Sequence, residues 1–350
     1  MTSEFQINGR QIGPGAPVYV IAELSANHNQ DFEQAVRLVR AAKEFGADAV
    51  KLQTYLPETM TIAGAQEYFK VGAGTLWEGR TLFDLYGDAF TPWQWHPKLK
   101  AIADEIQIDL FSTAFDASAL DFLENLGVPA HKVASFELVD IPLIEKMAAT
   151  GKPLIMSTGM ASLAEIDEAV RAARAGGAAQ IALLKCTSAY PAPAEEMHLN
   201  TIPHLANSFG VPAGLSDHTL GIAVPAAAVA LGACIVEKHF TLSRSVPGPD
   251  SAFSLEPHEF KAMVDAIRIV EKAVGQVHYG TSGEDEKMRA YRRSLFVVKP
   301  VRAGEPLTET NVRSIRPGHG LPPKYLPEVL GREAAVDIPE GTPLEWVLVG

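Results

Sequence analysis

Eight times between Val18 and Val274, a short run of apolar and often β-branched residues gives way to a longer stretch with apolar residues at helical spacing. No other feature narrows the available folds as far. A strand that is apolar on both faces must be covered on both, and helices alternating with such strands provide the cover. The expected strands are 18–22, 49–52, 110–112, 132–134, 154–157, 181–185, 213–215 and 235–237. The expected helices cover 31–45, 95–106, 119–126, 142–149, 163–175, 200–209, an alanine-rich stretch ending at Leu231, and 257–274. Eight such units in about 275 residues match the size and rhythm of a (β/α)8 TIM barrel. A doubly wound open sheet is the alternative, but it has no glycine-rich phosphate loop after its first strand to support it.

The rhythm stops after Gly275. Residues 275–293, GQVHYGTSGEDEKMRAYRR, are polar and charged and read as a linker with some helix. From Ser294 the pattern becomes short strands and turns. The expected division is a barrel at 1–280, a linker at 281–293 and a small second domain at 294–350. A piece of that size is small for an independent core, so it is expected to lean on the barrel or on a partner chain.

The net charge of −12 gives no basic stripe for a phosphate backbone, so no nucleic-acid partner is expected. An anionic substrate would need a local cluster of Lys and Arg. The two cysteines, Cys186 and Cys234, lie in apolar runs and form no CxxC pair. Neither a disulfide framework nor a zinc knuckle is expected, and a reduced, cytoplasmic setting is. The first residues show no leader pattern, and no apolar run reaches the roughly 18 residues of a membrane span.

In a TIM barrel the active site lies at the C-terminal ends of the strands. Here those ends carry polar residues around the whole ring: Glu23, then Lys51 and Gln53, Thr113, Lys132 and Ser135, Ser157, Lys185 and Ser188, Ser216 to His218, and Glu237 to His239. Many Ser, Thr and Asp residues at such places merely cap the following helix. Capping does not explain Glu23, Lys51 or Lys132, which emerge straight from apolar runs and need partners or a function. The lysines suggest an anionic ligand, with hydroxyls and loop N–H groups for its oxygens. His218 and His239 end neighbouring strands, and Glu237 and Asp250 are close in sequence to them. A His/His/oxygen set suits Mn2+, Zn2+ or a related ion better than Ca2+ or Mg2+. Two separately hydrogen-bonded histidines are the alternative. His96, His131, His198, His204 and His258 read as core or surface groups, while His319 sits in the RPGHG turn.

The chain carries IAELSANHN (21–29), AVKLQT (49–54), FSTAFD (111–116), HKVASFE (131–137), IMSTGM (155–160), LLKCTSAYPAP (183–193), GLSDHT (214–219), VEKHFT (236–241) and PGPDSAFSLEP (247–257). On these motifs it resembles the sialic acid synthase family of phosphoenolpyruvate-dependent nonulosonic acid synthases, and within it the pseudaminic acid branch. Residues 293–321 resemble the family's antifreeze-like (SAF) domain. The resemblance implies condensation of phosphoenolpyruvate, water and an open-chain N-acetylated amino sugar. It implies that Lys51, Thr113, Lys132, Ser135, Ser157, Ser188 and Ser216 hold phosphoenolpyruvate. Glu23, Tyr190, Glu237 and Asp250 would bind sugar or assist at a metal on His218 and His239. The metal is expected to be Mn2+, with Mg2+ or Co2+ as alternatives. Arg316 matches an arginine that one protomer inserts into the barrel of the other, so a domain-swapped homodimer is expected. Ser188 and Leu24-Ser25-Ala26 depart from the sialic acid branch, and GTLWEGRTLFDLY (74–86) and TPWQWH (91–96) resemble the pseudaminic branch, which favours a di-N-acetylated trideoxy sugar. N-acetylneuraminate or legionaminate synthesis is the alternative.

Two other readings compete. One is a Schiff-base aldolase on the same fold, with Lys51, Lys132 or Lys185 as the nucleophile and no metal. The other is a sugar- or ice-binding module, which leaves the ring of Lys, His and Glu without a role.

Overall fold

The computed structural model describes residues 5–72 and 74–350 and divides into two compact units, Met1–Gly275 and Gln276–Gly350. In the first unit eight strands close into a parallel barrel in chain order: β1 (Tyr19–Glu23), β2 (Ala49–Thr54), β3 (Asp109–Ala114), β4 (His131–Val133), β5 (Leu154–Ser157), β6 (Ile181–Cys186), β7 (Ala213–Asp217) and β8 (Ile235–His239). β8 pairs back onto β1, which excludes the open sheet. The covering helices are α1 (Phe32–Glu44), α2 (His96–Glu105), α3 (Ala117–Leu126), α4 (Ile141–Ala148), α5 (Leu163–Ala175), α6 (Thr201–Phe209), α7 (Ala223–Ala230) and α8 (Pro257–Val274).

Local chemistry sets where these helices start. Asp31, Asp116 and Asp140 accept N–H bonds in the first turns of α1, α3 and α4, and Ser162 forms a capping box with Glu165 at α5. Each such cap stabilises its helix by about 1 kcal/mol. None of the hydroxyl residues expected at the site is among these four caps, which leaves them free for other partners.

The strand register brings the polar ends to one level. Glu23 pairs with Lys51 on one side and with His239 on the other. Thr113 pairs with Lys132, and Ser216 with Glu237. Because side chains alternate along a strand, Ser216 and Glu237 face the barrel mouth while the next pair, Asp217 and Lys238, faces the other way. Those two form a fully buried ion pair at 2.5 Å, and Asp217 also accepts from the Thr219 N–H.

At the opposite end, a short hairpin (Gln6–Ile7 with Arg10–Gln11) covers the start of the strands. It buries Phe5, Ile7 and Ile12, and Asn8 donates to Asp109, the first residue of β3. Between β2 and α2 the chain makes a long excursion with two short helices, Pro57–Met60 and Leu82–Ala89.

The second unit opens with a helical turn at Gly283–Met288. It continues into an antiparallel pair, β9 (Ser294–Val297) with β10 (Val312–Ile315). Leu295, Val297, Val301, Leu307, Val312, Val329, Ala334, Ile338 and Leu344 form a core of its own. Gly320 permits a close backbone approach there, since a Cβ at that position would collide with the Leu295 carbonyl oxygen.

Candidate active site

The mouth of the barrel holds a continuous polar network. Lys51 Nζ lies 2.6 Å from Glu23 Oε2 and 3.5 Å from Glu237 Oε1, and donates to Thr113 Oγ1 at 3.2 Å. Ser216 donates to Glu237 Oε1 at 3.2 Å. Lys132 Nζ donates to Ser157 Oγ at 2.7 Å and to the Val133 carbonyl at 3.1 Å, and stands 3.9 Å from Glu237 Oε2. An ammonium group has three donors, so Lys132 keeps one for a ligand. Gln53 ties the network to the next group by donating to Glu23 Oε1 and Ser25 Oγ, both at 3.0 Å. Ser25 hydrogen-bonds to Asp250, whose carboxylate also accepts from the Ala26 N–H at 3.3 Å.

Ser135 and Ser188 meet over Gly159. A Cβ on that glycine would stand 2.5 Å from each serine Oγ, a space only a hydrogen leaves open. Lys51, Thr113, Lys132, Ser157 and Ser216 thus share one network, and Ser135 and Ser188 meet at Gly159, two residues past Ser157; together these lysines and hydroxyls form a cradle of the kind that suits the oxygens of a phosphate or carboxylate.

The charges are tuned by this crowding. Burial pushes the Glu23 carboxyl up to about 7, with Glu237 adding to the effect and Lys51 opposing it. Burial would raise Glu237 too, but Lys132, Lys51 and His218 hold it below the usual carboxylate range. Lys51 is raised by Glu23 and Glu237 in spite of burial, whereas burial dominates at Lys132 and lowers it. A lysine held charged between two carboxylates has no lone pair for a Schiff base, which argues against Lys51 as an aldolase nucleophile. Lys185 turns back onto its own strand end, donating to the Cys186 carbonyl and to Thr187 Oγ1.

Beside this network stand the two histidines. The His218 and His239 rings are 5.2 Å apart, and Tyr190 lies 4.3 Å from His218 and Phe253 4.9 Å from His239. His218 Nδ1 donates to the Thr187 carbonyl at 2.9 Å, an arrangement common behind a metal-binding imidazole, and in spite of burial the ring's pKa is held above its usual value by Cys186 and that carbonyl. His239 is kept neutral by burial, and its buried Nδ1 has no hydrogen-bond partner. Both features fit a divalent ion. Among the described residues no group of three or more His, Cys, Asp and Glu side chains is placed to hold a metal. Any ion here would take its remaining ligands from solvent or substrate. Of the oxygen donors suggested by sequence, Glu237 accepts from Ser216 through Oε1 while its buried Oε2 has no hydrogen-bond partner, and Asp250 is held by Ser25 and the Ala26 N–H through Oδ2.

Two groups that sequence reasoning passes over belong to this site. Glu137, two residues beyond Ser135, is pushed up to about 7 by burial, against the pull of Lys132, and its Oε2 is buried without a partner. Its place in HKVASFE, just past a strand end, is the available signal. Cys186, read as apolar, lies 3.8 Å from His218 Nδ1. Burial opposes its ionisation, but His218 and Ser135 bring the thiol down to about 7. Of the histidines read as bystanders, His96 and His131 are buried and His198, His204 and His258 are exposed. Arg316 belongs to the second unit, where it is exposed at the end of β10.

Comparison with known proteins gives this geometry a family. The model of the NeuB family matches residues 38–279. The chain belongs to the NeuB family. The SAF domain matches residues 292–349, within the second unit. The chain is 45% identical to the pseudaminic acid synthase of Helicobacter pylori, over 94% of this chain and 96% of the relative. It is 37% identical to the N,N'-diacetyllegionaminic acid synthase of Legionella pneumophila, over 99% of each. The crystal structure of the N-acetylneuraminic acid (sialic acid) synthetase of Leptospira borgpetersenii, in complex with citrate, superposes with a TM-score of 0.73 at 31% identity. That superposition covers 82% of this chain and 95% of that one. The expected barrel and antifreeze-like domain are thus both present in this NeuB-family chain. Among the described residues no helix is long and apolar enough to cross a membrane.

Proposed function

We propose that this NeuB-family enzyme condenses phosphoenolpyruvate with a 2,4-diacetamido-2,4,6-trideoxy hexose of the altrose type and water, giving pseudaminic acid and phosphate. The observation that carries the choice of sugar is the 45% identity along nearly the whole chain to a pseudaminic acid synthase, against 37% to a legionaminic acid synthase. The site supports the reaction class. The cradle of Lys51, Thr113, Lys132, Ser135, Ser157, Ser188 and Ser216 holds phosphoenolpyruvate, and Glu23, Tyr190 and Asp250 face the sugar.

C3 of the enol attacks the aldehyde carbon and a C–C bond forms. Water adds at C2, and the C2–O bond to phosphate breaks as the ketone forms. A divalent ion on His218 and His239, when bound, supplies Lewis-acid polarisation of the aldehyde oxygen. Lys51 and Lys132 hold the phosphate and carboxylate charges in fixed positions, so little reorganisation is needed as charge moves. Glu237, kept ionised by its lysines, stabilises positive charge at C2. Glu137 and Glu23, both near 7, exchange protons with the departing phosphate and the attacking water.

Arg316 completes the site of a second subunit in a homodimer. The support is its exposed place at the end of β10 and the exposed Phe136 and Val139 after β4 and Met160 and Leu163 after β5, apolar surface of the kind a partner covers. A cytoplasmic location goes with the soluble substrates and the two free cysteines. Product analysis by mass spectrometry, with phosphoenolpyruvate and a panel of N-acetylated amino sugars, tests the assignment. The diacetamido sugar should give the highest kcat/KM, and a higher value with N-acetylmannosamine would overturn it.

A further inference from the structure

The excursion between β2 and α2 brings one large side chain, Trp77, to the edge of the site. It is half-buried, and its indole N–H donates at 2.9 Å to the carbonyl of Pro249, the residue immediately before Asp250. Its ring stands 5.8 Å from that of Tyr190, which packs in turn on His218. The loop that carries Asp250 is pinned from the barrel side by Ser25 and Ala26. It also packs closely on Asn29, where a Cβ on Gly248 would collide with Oδ1. The indole bond ties this loop to the excursion.

Trp77 also lines a cleft of about 900 Å³, together with Leu76, Val246, Pro247 and Pro249. Two arginines reach the same cleft, but each is already paired: Arg80 with Asp88 at 2.6 Å, and Arg244 with Glu259. Asn29, Gln30, Asp88 and Ser251 make up the rest of the polar side, and the wall to which Trp77 belongs, with Leu76, Val246 and the two prolines, is apolar. A methyl group packed against that wall is favoured over a hydroxyl in the same place.

We propose that Trp77 is a positioning and specificity-determining residue: it fixes the Pro249–Asp250 peptide and walls the cleft that takes the deoxygenated, methyl-bearing end of the acceptor sugar. The inference rests on the activity proposed above. Trp77→Phe keeps an aromatic wall and removes the N–H, while Trp77→Leu removes the aromatic wall as well. The test is steady-state kinetics on the full-length enzyme with phosphoenolpyruvate and two acceptors. One is the diacetamido-trideoxy sugar and the other is its 6-hydroxy counterpart.

Trp77→Phe should raise the acceptor KM several-fold, leave the phosphoenolpyruvate KM within about twofold and preserve the preference for the 6-deoxy sugar, as expected for losing one neutral hydrogen bond. Trp77→Leu should also reduce that preference by about tenfold, the scale of one apolar contact. The inference is overturned if both substrates' KM values rise together, as in a loosened fold, or if neither variant moves the acceptor KM and the preference beyond twofold. Should Trp77→Leu not fold, the KM split in Trp77→Phe decides alone. Absence of turnover by the wild-type enzyme with either acceptor is a separate result. It overturns the activity itself, and the inference with it.

Discussion

At the scale of single residues, the site works by giving like groups unlike environments. Glu237 has lysines on two sides and stays a carboxylate, whereas Glu137 and Glu23 are buried with weaker compensation and stand near 7. The sign of the pH dependence follows. A carboxyl at about 7 holds its proton below that value and loses it above, so a step that needs Glu137 as an acid slows as pH rises through about 7. Glu137→Gln should lower kcat by about 10²–10⁴-fold, the usual contribution of a placed acid or base, and should abolish that alkaline limb. A limb that persists unchanged in Glu137→Gln assigns it to another group, with Glu23 the first to examine. Gly159 gives a second test at this scale. Gly159→Ala puts a methyl group 2.5 Å from the Ser135 and Ser188 hydroxyls, so both must move. The phosphoenolpyruvate KM should rise by tenfold or more, on the order of one misplaced charge-assisted hydrogen bond. An unchanged KM would mean that neither serine touches that substrate. His218→Ala should remove most of the activity and weaken divalent-ion uptake measured by calorimetry, on the order of 10²-fold.

Among the elements, β7 and β8 decide whether the histidines converge. Their shared register puts Asp217 opposite Lys238, and this buried pair lies on the face away from the site, between residues that face into it. Leaving one buried charge unpartnered costs about 3–5 kcal/mol. Asp217→Asn should therefore lower the stability of the barrel by about that much in urea unfolding, and Lys238→Met should do so to a similar extent. A double variant should recover part of the loss. Full additivity of the single effects would show that the two side chains are not coupled.

These strands also show what the sequence can and cannot disclose. The apolar runs locate all eight strands, because strands covered on both faces leave continuous hydrophobic stretches. The same runs place the ends short: β8 is expected to stop at Glu237 and runs to His239, and β2 is expected to stop at Leu52 and runs to Thr54. The reason is physical. In a barrel the last strand positions still bond to their neighbours while their side chains face the mouth, so polarity there marks the site and not the end of the ladder. Lys51, Lys132, Glu23 and the two histidines are legible by this logic. Glu137 and Trp77 are not, because they lie beyond the strands, where no period fixes which way a side chain points. The N-terminal hairpin escapes too, since two-residue strands carry no detectable alternation.

For the molecule as a whole, the question is how two units with separate cores make one enzyme. The barrel supplies the lysines, the hydroxyls, the acids and the histidines. Each unit folds around its own buried residues, so function and not folding is what would require them to meet. The second unit carries Arg316, exposed at the end of β10 just before the peptide bond to Pro317, which is cis. The proposed homodimer gives that side chain a role, with an arginine from one subunit meeting the anionic substrate in the barrel of the other and the two composite sites related by a two-fold axis. Arg316→Ala should then lower kcat/KM by roughly 10²-fold, as for the loss of one well-aimed donor. Its effect on the barrel's stability should be negligible. Complementation distinguishes an arginine acting across subunits from one acting in its own chain. Arg316→Ala subunits have an intact barrel, and Lys51→Ala subunits an intact arginine. In a mixed dimer that shares sites across the axis, one barrel keeps its lysine and receives its arginine from the partner. The other lacks both. Mixing the two inactive proteins under conditions that exchange subunits should restore activity in proportion to the heterodimers, which native mass spectrometry counts. Activity that stays at the level of the separate variants, with heterodimers present, would place Arg316 in its own barrel or outside the reaction.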